Sequence, residues 1–335
     1  MTSRDDPTVG ELSEGTILRR ILDRVGPSAA VVGPGDDAAV LAVPDGRVVA
    51  TTDTLVHGPD FRLAWSSAFD IGWKAAAVNL ADVAAMGARP TALLVALAMP
   101  DDTRISFVAG LADGLRAACD ELAPGCVVEG GDLTVSDTLT VAVTALGVLD
   151  GREPVLRSGA HPGDVVAIAG EMGVAARGLE LLFTRFADSD GTPNALTSEA
   201  FAERLVETGD ATAVTRQLRP RPPIGMGPLA SERGATAMMD VSDGLALDAT
   251  RMADASGVTI DIDVRCLGPD AARALSGGED HALLATFPAG GELPEGFTRI
   301  GSVHDRTHAP LLVDGDPFQG RGGWDPYRDW DTGRG

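Results

Sequence analysis

The chain has 335 residues, 44% of them apolar, with 27 basic against 49 acidic side chains and a formal charge of −22. That length accommodates two domains of ordinary size, and that charge excludes a basic footprint for nucleic acid and disfavours an anionic membrane surface. The cysteines at 119, 126 and 266 show no metal-ligand spacing; they fit core positions and a reducing cytoplasm.

In chain order, the N-terminal stretch MTSRDDPTVGELSEG lacks an apolar run, so no signal peptide is expected. Residues 11–25 predict a helix with Ile17, Leu18, Ile21, Leu22 and Val25 on one side. Residues 38–43 and 48–52 predict two strands paired around the turn Pro44-Asp45-Gly46. A long apolar helix is predicted over 68–86, closed by Gly87. Asp70, Lys74, Asn79 and Asp82 interrupt it, so it reads as a buried helix and not as a membrane span. A strand over 91–98, a helix over 105–122 and a strand over 138–149 complete the first half.

Residues 150–164 are rich in Gly, Pro and charge and mark the domain boundary, giving units 1–150 and 151–335. The second half predicts a strand over 165–169, a helix from Gly173 to 183, and a polar surface loop over 187–197. A further helix runs to Leu218 and stops at Arg219-Pro-Arg-Pro-Pro223. Strands over 235–241, 258–262 and 282–287 surround a helix over 243–256, and a tail rich in Gly and aromatics begins at Pro317. Strands and helices mix without strict β-α-β alternation. The fold class is therefore α+β, or mixed α/β: two domains, each a mixed sheet packed with helices, and not a Rossmann fold.

Acidic motifs stand along this frame: GDDAAV (35–40), TTDTLV (51–56), NLAD (79–82), GGD (130–132), DVSDG (240–244) and SGGED (276–280). Magnesium takes oxygen ligands and is held by a few carboxylates plus substrate phosphates. Glycine lets backbone N–H groups approach phosphate. Asp82 lies on the apolar stripe of its helix, where a carboxylate is costly unless paired or metal-bound. Asp36, Asp37 and Asp53 would converge at one end of the predicted hairpin, though Gly-Asp-Asp serves equally as a turn. Thr51 and Thr52 offer oxygen ligands beside Asp53. Gly130-Gly131-Asp132 falls between a helix and a strand, where it serves a phosphate or a plain turn. Asp240, Ser242 and Asp243 sit at a strand end and a helix start, a place for either a cap or a phosphate.

Lys74 is the only lysine. No G-x-x-x-x-G-K-[ST] occurs, which excludes a P-loop, and the protein-kinase motif set is missing. Metal ions and arginine must then neutralise any transferred phosphate. Arg157 near the domain boundary can fork onto phosphates. Trp324 and Tyr327 can stack on a heteroaromatic ring or simply anchor the tail. No histidine has metal-ligand spacing.

In fixed order these motifs resemble the thiamine-monophosphate kinases, relatives of aminoimidazole-ribonucleotide synthetase and selenophosphate synthetase. The resemblance spans about 11–327, and D-I-G-x-K-A-A-A-V-N-L-A-D-V-A-A-M-G (70–87) is its most specific part. It implies transfer of the γ-phosphoryl of ATP to thiamine monophosphate, with several Mg²⁺ ions and no protein base or nucleophile. It further implies a cytoplasmic homodimer whose N-terminal sheets pair into a barrel. Matching motifs imply metal ligands at Asp37, Thr51, Thr52, Asp53, Asp82, Asp132, Asp240 and Asp243. They imply ATP contacts at Gly131, Asp132, Arg157 and Ser242, and acceptor contacts at Asp60, Glu279 and Trp324 or Tyr327. The family commonly has His where this chain has Asp60, and GWDHF where it has GGWDPY. A relative within the same superfamily, or a non-catalytic magnesium-nucleotide binder, is the alternative. Selenophosphate synthetases need a reactive Cys near the N-terminus, whereas the first Cys here is 119.

Overall fold

The computed structural model of the protein describes residues 6–33, 38–188, 192–194, 198–320 and 322–324. The N-terminal unit contains α1 (Glu14–Val25), β1 (Val49–Val56), α2 (Ala68–Ala85), β2 (Arg89–Met99), α3 (Ile105–Leu122), β3 (Val127–Val135) and β4 (Thr140–Val148). Its sheet runs β1-β4-β2-β3, with β2 and β3 parallel and the other pairs antiparallel.

The second unit contains β5 (Val165–Ala169), α4 (Val174–Arg185), α5 (Ser198–Glu207), α6 (Ala211–Leu218), α7 (Met226–Glu232), β6 (Ala237–Val241) and α8 (Leu245–Ser256). It continues with β7 (Val258–Ile262), α9 (Ala271–Ser276), β8 (Ala282–Phe287), β9 (Thr298–Asp305), β10 (Leu311–Val313) and β11 (Asp316–Pro317). Its sheet order is β11-β10-β7-β9-β5-β8-β6. The mixed α/β class expected from the sequence holds in both units.

Helix α2 explains its own composition. Ser67 and Asp70 close a capping box at its start, Ser67 N–H donating to Asp70 Oδ2 at 2.9 Å and Asp70 N–H to Ser67 Oγ at 3.2 Å. Fourteen of its 18 residues are buried, because it is covered by the N-terminal sheet, by α3 and by β6, α7 and β8 of the second unit. A helix enclosed on every side must be apolar all round. Small residues set the closeness: a Cβ on Gly72 would stand 2.0 Å from the Leu111 carbonyl, and one on Gly114 would stand 2.1 Å from that of Phe69. Likewise a Cβ on Gly227 would stand 2.0 Å from the Ala84 carbonyl, so α7 lies directly on α2. One core therefore runs from α2 and α3 into Met238, Leu283 and Phe287.

The structure corrects several expectations. Residues 38–43 form no strand but touch Val32 through a single bridge at Val40, and β1 pairs with β4 instead of with a hairpin partner. Asp53 is accordingly inside β1 and not at a hairpin end. Gly130, Gly131 and Asp132 lie within β3, a strand the sequence reading lacked because two glycines break its apolar pattern. Gly131 is required there by the approach of β2: its Cβ would meet the Val95 carbonyl at 1.8 Å. The helix expected to run to Leu218 is two, α5 and α6, separated at Thr208–Asp210, where Asp210 caps α6. Helices α7 and α9 and strands β9 to β11 were not anticipated. Among the described residues no helix is long and apolar enough to cross a membrane. Cys119 and Cys126 are buried, and Cys266 is exposed.

Candidate active site

Where α2 passes between the two units, two neighbouring concavities form. The first is an acid cleft. Thr51 and Asp53 share one face of β1, as alternate strand residues do. Thr51 Oγ1 donates to Asp82 Oδ2 at 2.8 Å, and Asp53 N–H donates to Asn79 Oδ1 at 2.9 Å. Thr52 turns the other way, and its hydroxyl donates to the Val143 carbonyl at 3.0 Å. From the second unit Asp240, at the end of β6, reaches the same place, with His281 Nδ1 3.1 Å from its Oδ2. Arg47, Thr51, Asp82, Arg157 and Asp240 line a cavity of about 710 Å³.

Arg47 and Arg157 line this cavity, Arg47 paired with Glu153, yet negative charge prevails around the three carboxylates. Burial, then the negative charges of Asp240 and Asp53, push the Asp82 carboxyl up to about 7. Asp53 keeps an open side to solvent, yet the packing around it, with Asp240 and Asp243 adding to the effect, raises it also. His281 is the counter-charge: burial disfavours its imidazolium, but Asp240 and Glu279 outweigh that and raise it. Its Nε2 is buried with no hydrogen-bond partner among the described residues. Three mutually repelling carboxylates beside threonine oxygens suit a hard divalent cation. The side chains are not closed into a ligand shell: among the described residues no group of three or more His, Cys, Asp or Glu converges to hold an ion.

Asp243 stands slightly apart. Arg251 Nη1 pairs with Asp243 Oδ2 at 2.6 Å and with Asp248 Oδ1 at 2.7 Å. Asp248 is fully buried in α8, where burial first and Asp243 second push it up to about 6.

The second concavity, about 640 Å³, is aromatic. Asp60, Arg62, Trp65, Lys74, Phe183, Glu279 and Trp324 contribute to its wall. The Arg62 guanidinium lies 5.0 Å from the Trp65 ring centre and 4.8 Å from that of Phe183. The Asp60 carboxylate accepts from Val56 N–H at 2.7 Å, and burial raises its pKa. Lys74 Nζ donates to the Asp60 carbonyl at 3.0 Å and pairs with the Glu279 carboxylate. The Glu279 side chain is 40% exposed with one carboxylate oxygen buried; that local burial opposes its charge, but Lys74 and His281 overcome it and hold its carboxyl below the ordinary range.

The Gly277–His281 loop joins the two concavities. Glu279 (φ 73°) and His281 (φ 53°) adopt the left-handed conformation that non-glycine residues rarely take. The loop is held there by Glu279 N–H donating to the Ser242 carbonyl at 2.8 Å and by Asp280 Oδ1 accepting from Ala175 N–H at 2.7 Å, at the start of α4. Asp280 thus caps the start of α4 through one of its carboxylate oxygens. The tail docks onto the same corner: Trp324 N–H donates to the Asp243 carbonyl at 3.0 Å, and Leu247 N–H to that of Gly322 at 3.1 Å.

Of the residues singled out from sequence, Thr51, Asp53, Asp82, Arg157 and Asp240 gather in the acid cleft, with Asp243 at its edge. Asp60, Ser242, Glu279 and Trp324 gather around the aromatic cavity. Gly131 and Asp132 do not join either; they line a third cavity of about 900 Å³ on the open face of the N-terminal sheet, against Leu18 and Leu22 of α1. Asp37 and Tyr327 lie outside the described residues.

Residues 35–149 match the family described as AIR synthase related protein, N-terminal domain, and residues 161–293 match the corresponding C-terminal domain. The chain is 41% identical to thiamine-monophosphate kinase of Mycobacterium tuberculosis (strain H37Rv), over 99% of this chain and 98% of that one. It belongs to the thiamine-monophosphate kinase family. Its fold superposes on the thiamine-monophosphate kinase of Stenotrophomonas maltophilia with a TM-score of 0.72 at 33% identity, covering 92% of this chain and 98% of that chain. It superposes on AaThiL complexed with AMPPCP and TMP with a TM-score of 0.71 at 30% identity, covering 93% and 97%.

In this member of the thiamine-monophosphate kinase family, sequence reasoning gave no role to His281, Asp248, Arg62, Trp65 or Phe183, and none to Lys74 beyond its rarity. Two signals were available. Lys74 is a lone cation in the same buried helix as Asp82, and His281 directly follows the Gly-Gly-Glu-Asp motif. Trp65 and Phe183 carry no pattern, since they meet only through tertiary packing at 5.0 Å between rings.

Proposed function

We propose that the protein transfers the γ-phosphoryl group of ATP to thiamine monophosphate, giving ADP and thiamine diphosphate. The observation that carries this reading is the adjacency of the two concavities through one strained loop: a cationic heteroaromatic acceptor fits the aromatic cavity, and its phosphate can extend past Ser242 toward the acid cleft. Full-length membership of the thiamine-monophosphate kinase family supports it.

Mg²⁺ is the cofactor we infer. Bound by Asp53, Asp82 and Asp240 with Thr51, it would draw two polyanions together and neutralise charge on the leaving ADP. Asp37, Asp132, Asp243 and the Thr52 backbone complete the proposed ligand set. Arg157 with Ser242 and the Gly131-Asp132 pair are the nucleotide contacts. Asp60, Glu279, Trp324 and Tyr327 are the acceptor contacts. Thr51 and Asn79 orient Asp82 and β1 through the bonds above. No protein base is required, because a phosphate monoester is largely ionised at neutral pH, with a second pKa near 6. In this reading unit 1–150 supplies metal and nucleotide contacts together with the dimer surface, and unit 151–335 supplies nucleotide and acceptor contacts.

The partner we infer is a second copy of the chain, the two N-terminal sheets facing each other as a barrel. The open sheet face, with Leu94, Ala96 and Thr144 beside half-exposed Leu18 and Leu22, supports this. Such a dimer puts Gly131 and Asp132 at the subunit boundary. A cytoplasmic location fits the free cysteines and both substrates.

The test is product analysis. With ATP, Mg²⁺ and thiamine monophosphate the purified protein should form thiamine diphosphate and ADP, and it should leave free thiamine unchanged. Turnover of thiamine, or none of the monophosphate, rejects the reading. ATP chiral at the γ-phosphorus should transfer with inversion; net retention would reveal a phosphoenzyme.

A further inference from the structure

The chain's only lysine is not in the acid cleft. It projects from α2, eight residues before Asp82, into the aromatic cavity, and its side chain is 5% exposed. Eight residues of helix separate the two positions by about 12 Å. A buried ammonium must be paired or it is strongly destabilising. Here both its partners belong to the cavity wall: the Asp60 carbonyl at 3.0 Å, from the loop after β1, and the Glu279 carboxylate, from the second unit. Glu279 is itself held at φ 73°, a conformation that persists only where the surroundings over-determine it.

We propose that Lys74 is a positioning residue for acceptor binding: it anchors Glu279 in the cavity wall, locks the Asp60 loop to α2, and so fixes the cavity across the two units. The proposal rests on the reading of this cavity as the acceptor site. Glu279 has no other cationic side chain as an ion-pair partner among the described residues, and its left-handed backbone is held in the loop before β8. Without Lys74 the Glu279 carboxylate, with one oxygen buried, would face Asp60 across the cavity without its counter-charge, and both would be driven to move. The Gly277–His281 loop, which also carries the bond to Ser242, would lose its hold on α2. An acceptor meeting that wall would find neither oxygen in place. ATP, held mainly from the acid cleft, would register the change less, and only through the loop's bonds to Ser242 and Asp240.

The experiment is a double-mutant cycle with Lys74→Met, Glu279→Gln and the pair, read by KM for thiamine monophosphate, KM for ATP and thermal midpoint. Lys74→Met should raise the acceptor KM on the order of tenfold or more, the scale for losing a charged hydrogen bond, and leave the ATP KM within about twofold. Glu279→Gln should raise the acceptor KM as well. The double variant should be no worse than Lys74→Met alone, and its thermal midpoint should exceed that of Lys74→Met, because the uncompensated carboxylate is gone. Should Lys74→Met fail to fold, comparison of Glu279→Gln with the folded double variant carries the test: equal acceptor KM values support the anchor role. Additive losses, or equal losses for ATP and acceptor, overturn it. If Glu279→Gln leaves the acceptor KM unchanged, the reading of the cavity fails instead. A raised KM in Glu279→Gln with none in Lys74→Met rejects the lysine alone.

Discussion

The acid cleft and the aromatic cavity lie against the same helix, yet they are built on opposite electrostatic terms. In the cleft, Asp53, Asp82 and Asp240 repel one another; the cations on its wall are His281, whose second ring nitrogen is unpartnered among the described residues, Arg157, and Arg47, which is paired with Glu153. In the cavity both cations have partners: Lys74 meets Glu279, and Arg62 lies over two aromatic rings. The three carboxylates of the cleft therefore leave room for added positive charge, whereas the cations of the cavity are already engaged. The difference teaches where binding energy enters. In the proposed reading a divalent cation would relieve repulsion already stored in the fold and so admit the anionic nucleotide, whereas the acceptor would meet a wall whose lysine is already paired.

The largest expected effect comes from breaking the cleft. Asp82→Asn should lower kcat on the order of 10²–10³-fold, matching a loss of several kcal/mol of charge stabilisation at the reacting phosphate. The protein should stay folded, because the substitution removes repulsion. A near wild-type rate would place Asp82 outside the site, and unfolding would make its role structural.

A second, smaller effect concerns pH in metal-free protein. A carboxyl whose pKa rises on folding holds its proton more tightly in the native state. The native state is then favoured below the unfolded value of 3.8, and that advantage is lost as pH rises toward the folded value of about 7. The thermal midpoint in EDTA should fall across that window. Mg²⁺ should restore it at neutral pH, since whatever binds only the native state stabilises it, and Asp82→Asn should flatten both responses. A midpoint that ignores Mg²⁺ at pH 7.5 would remove the cation from the cleft.

The smallest effect sharpens the cavity side. Trp324 is 43% exposed and held by its backbone to Asp243, so its ring is available to stack. Trp324→Ala should raise the acceptor KM roughly two- to tenfold, the scale of one aromatic contact, without altering the metal response of the thermal midpoint. A change in the ATP KM alone would assign the ring to the nucleotide.

Much of this was written locally. The burial of α2 follows from a helix apolar on every face. Asp82 stands out as a carboxylate in that helix, and the Asp240-to-Asp243 turn as a strand that ends in acids before a helix. These are properties of short segments, so periodicity and spacing carry them. The hairpin predicted over 38–52 failed because strand pairing is a long-range choice: β1 finds β4, about ninety residues away, a better partner than its neighbour. Strand β3 was hidden because glycine weakens the pattern that marks a strand, although close approach of β2 demands it. The aromatic cavity was least legible of all. Trp65, Phe183, Lys74 and Glu279 come from four separate segments, and no motif announces that they meet. Sequence alone determined which residues carry charge and which helix must be buried. Tertiary structure decided which charges face one another, because electrostatic pairing and ring stacking depend on distances of a few ångströms that only the packed chain sets.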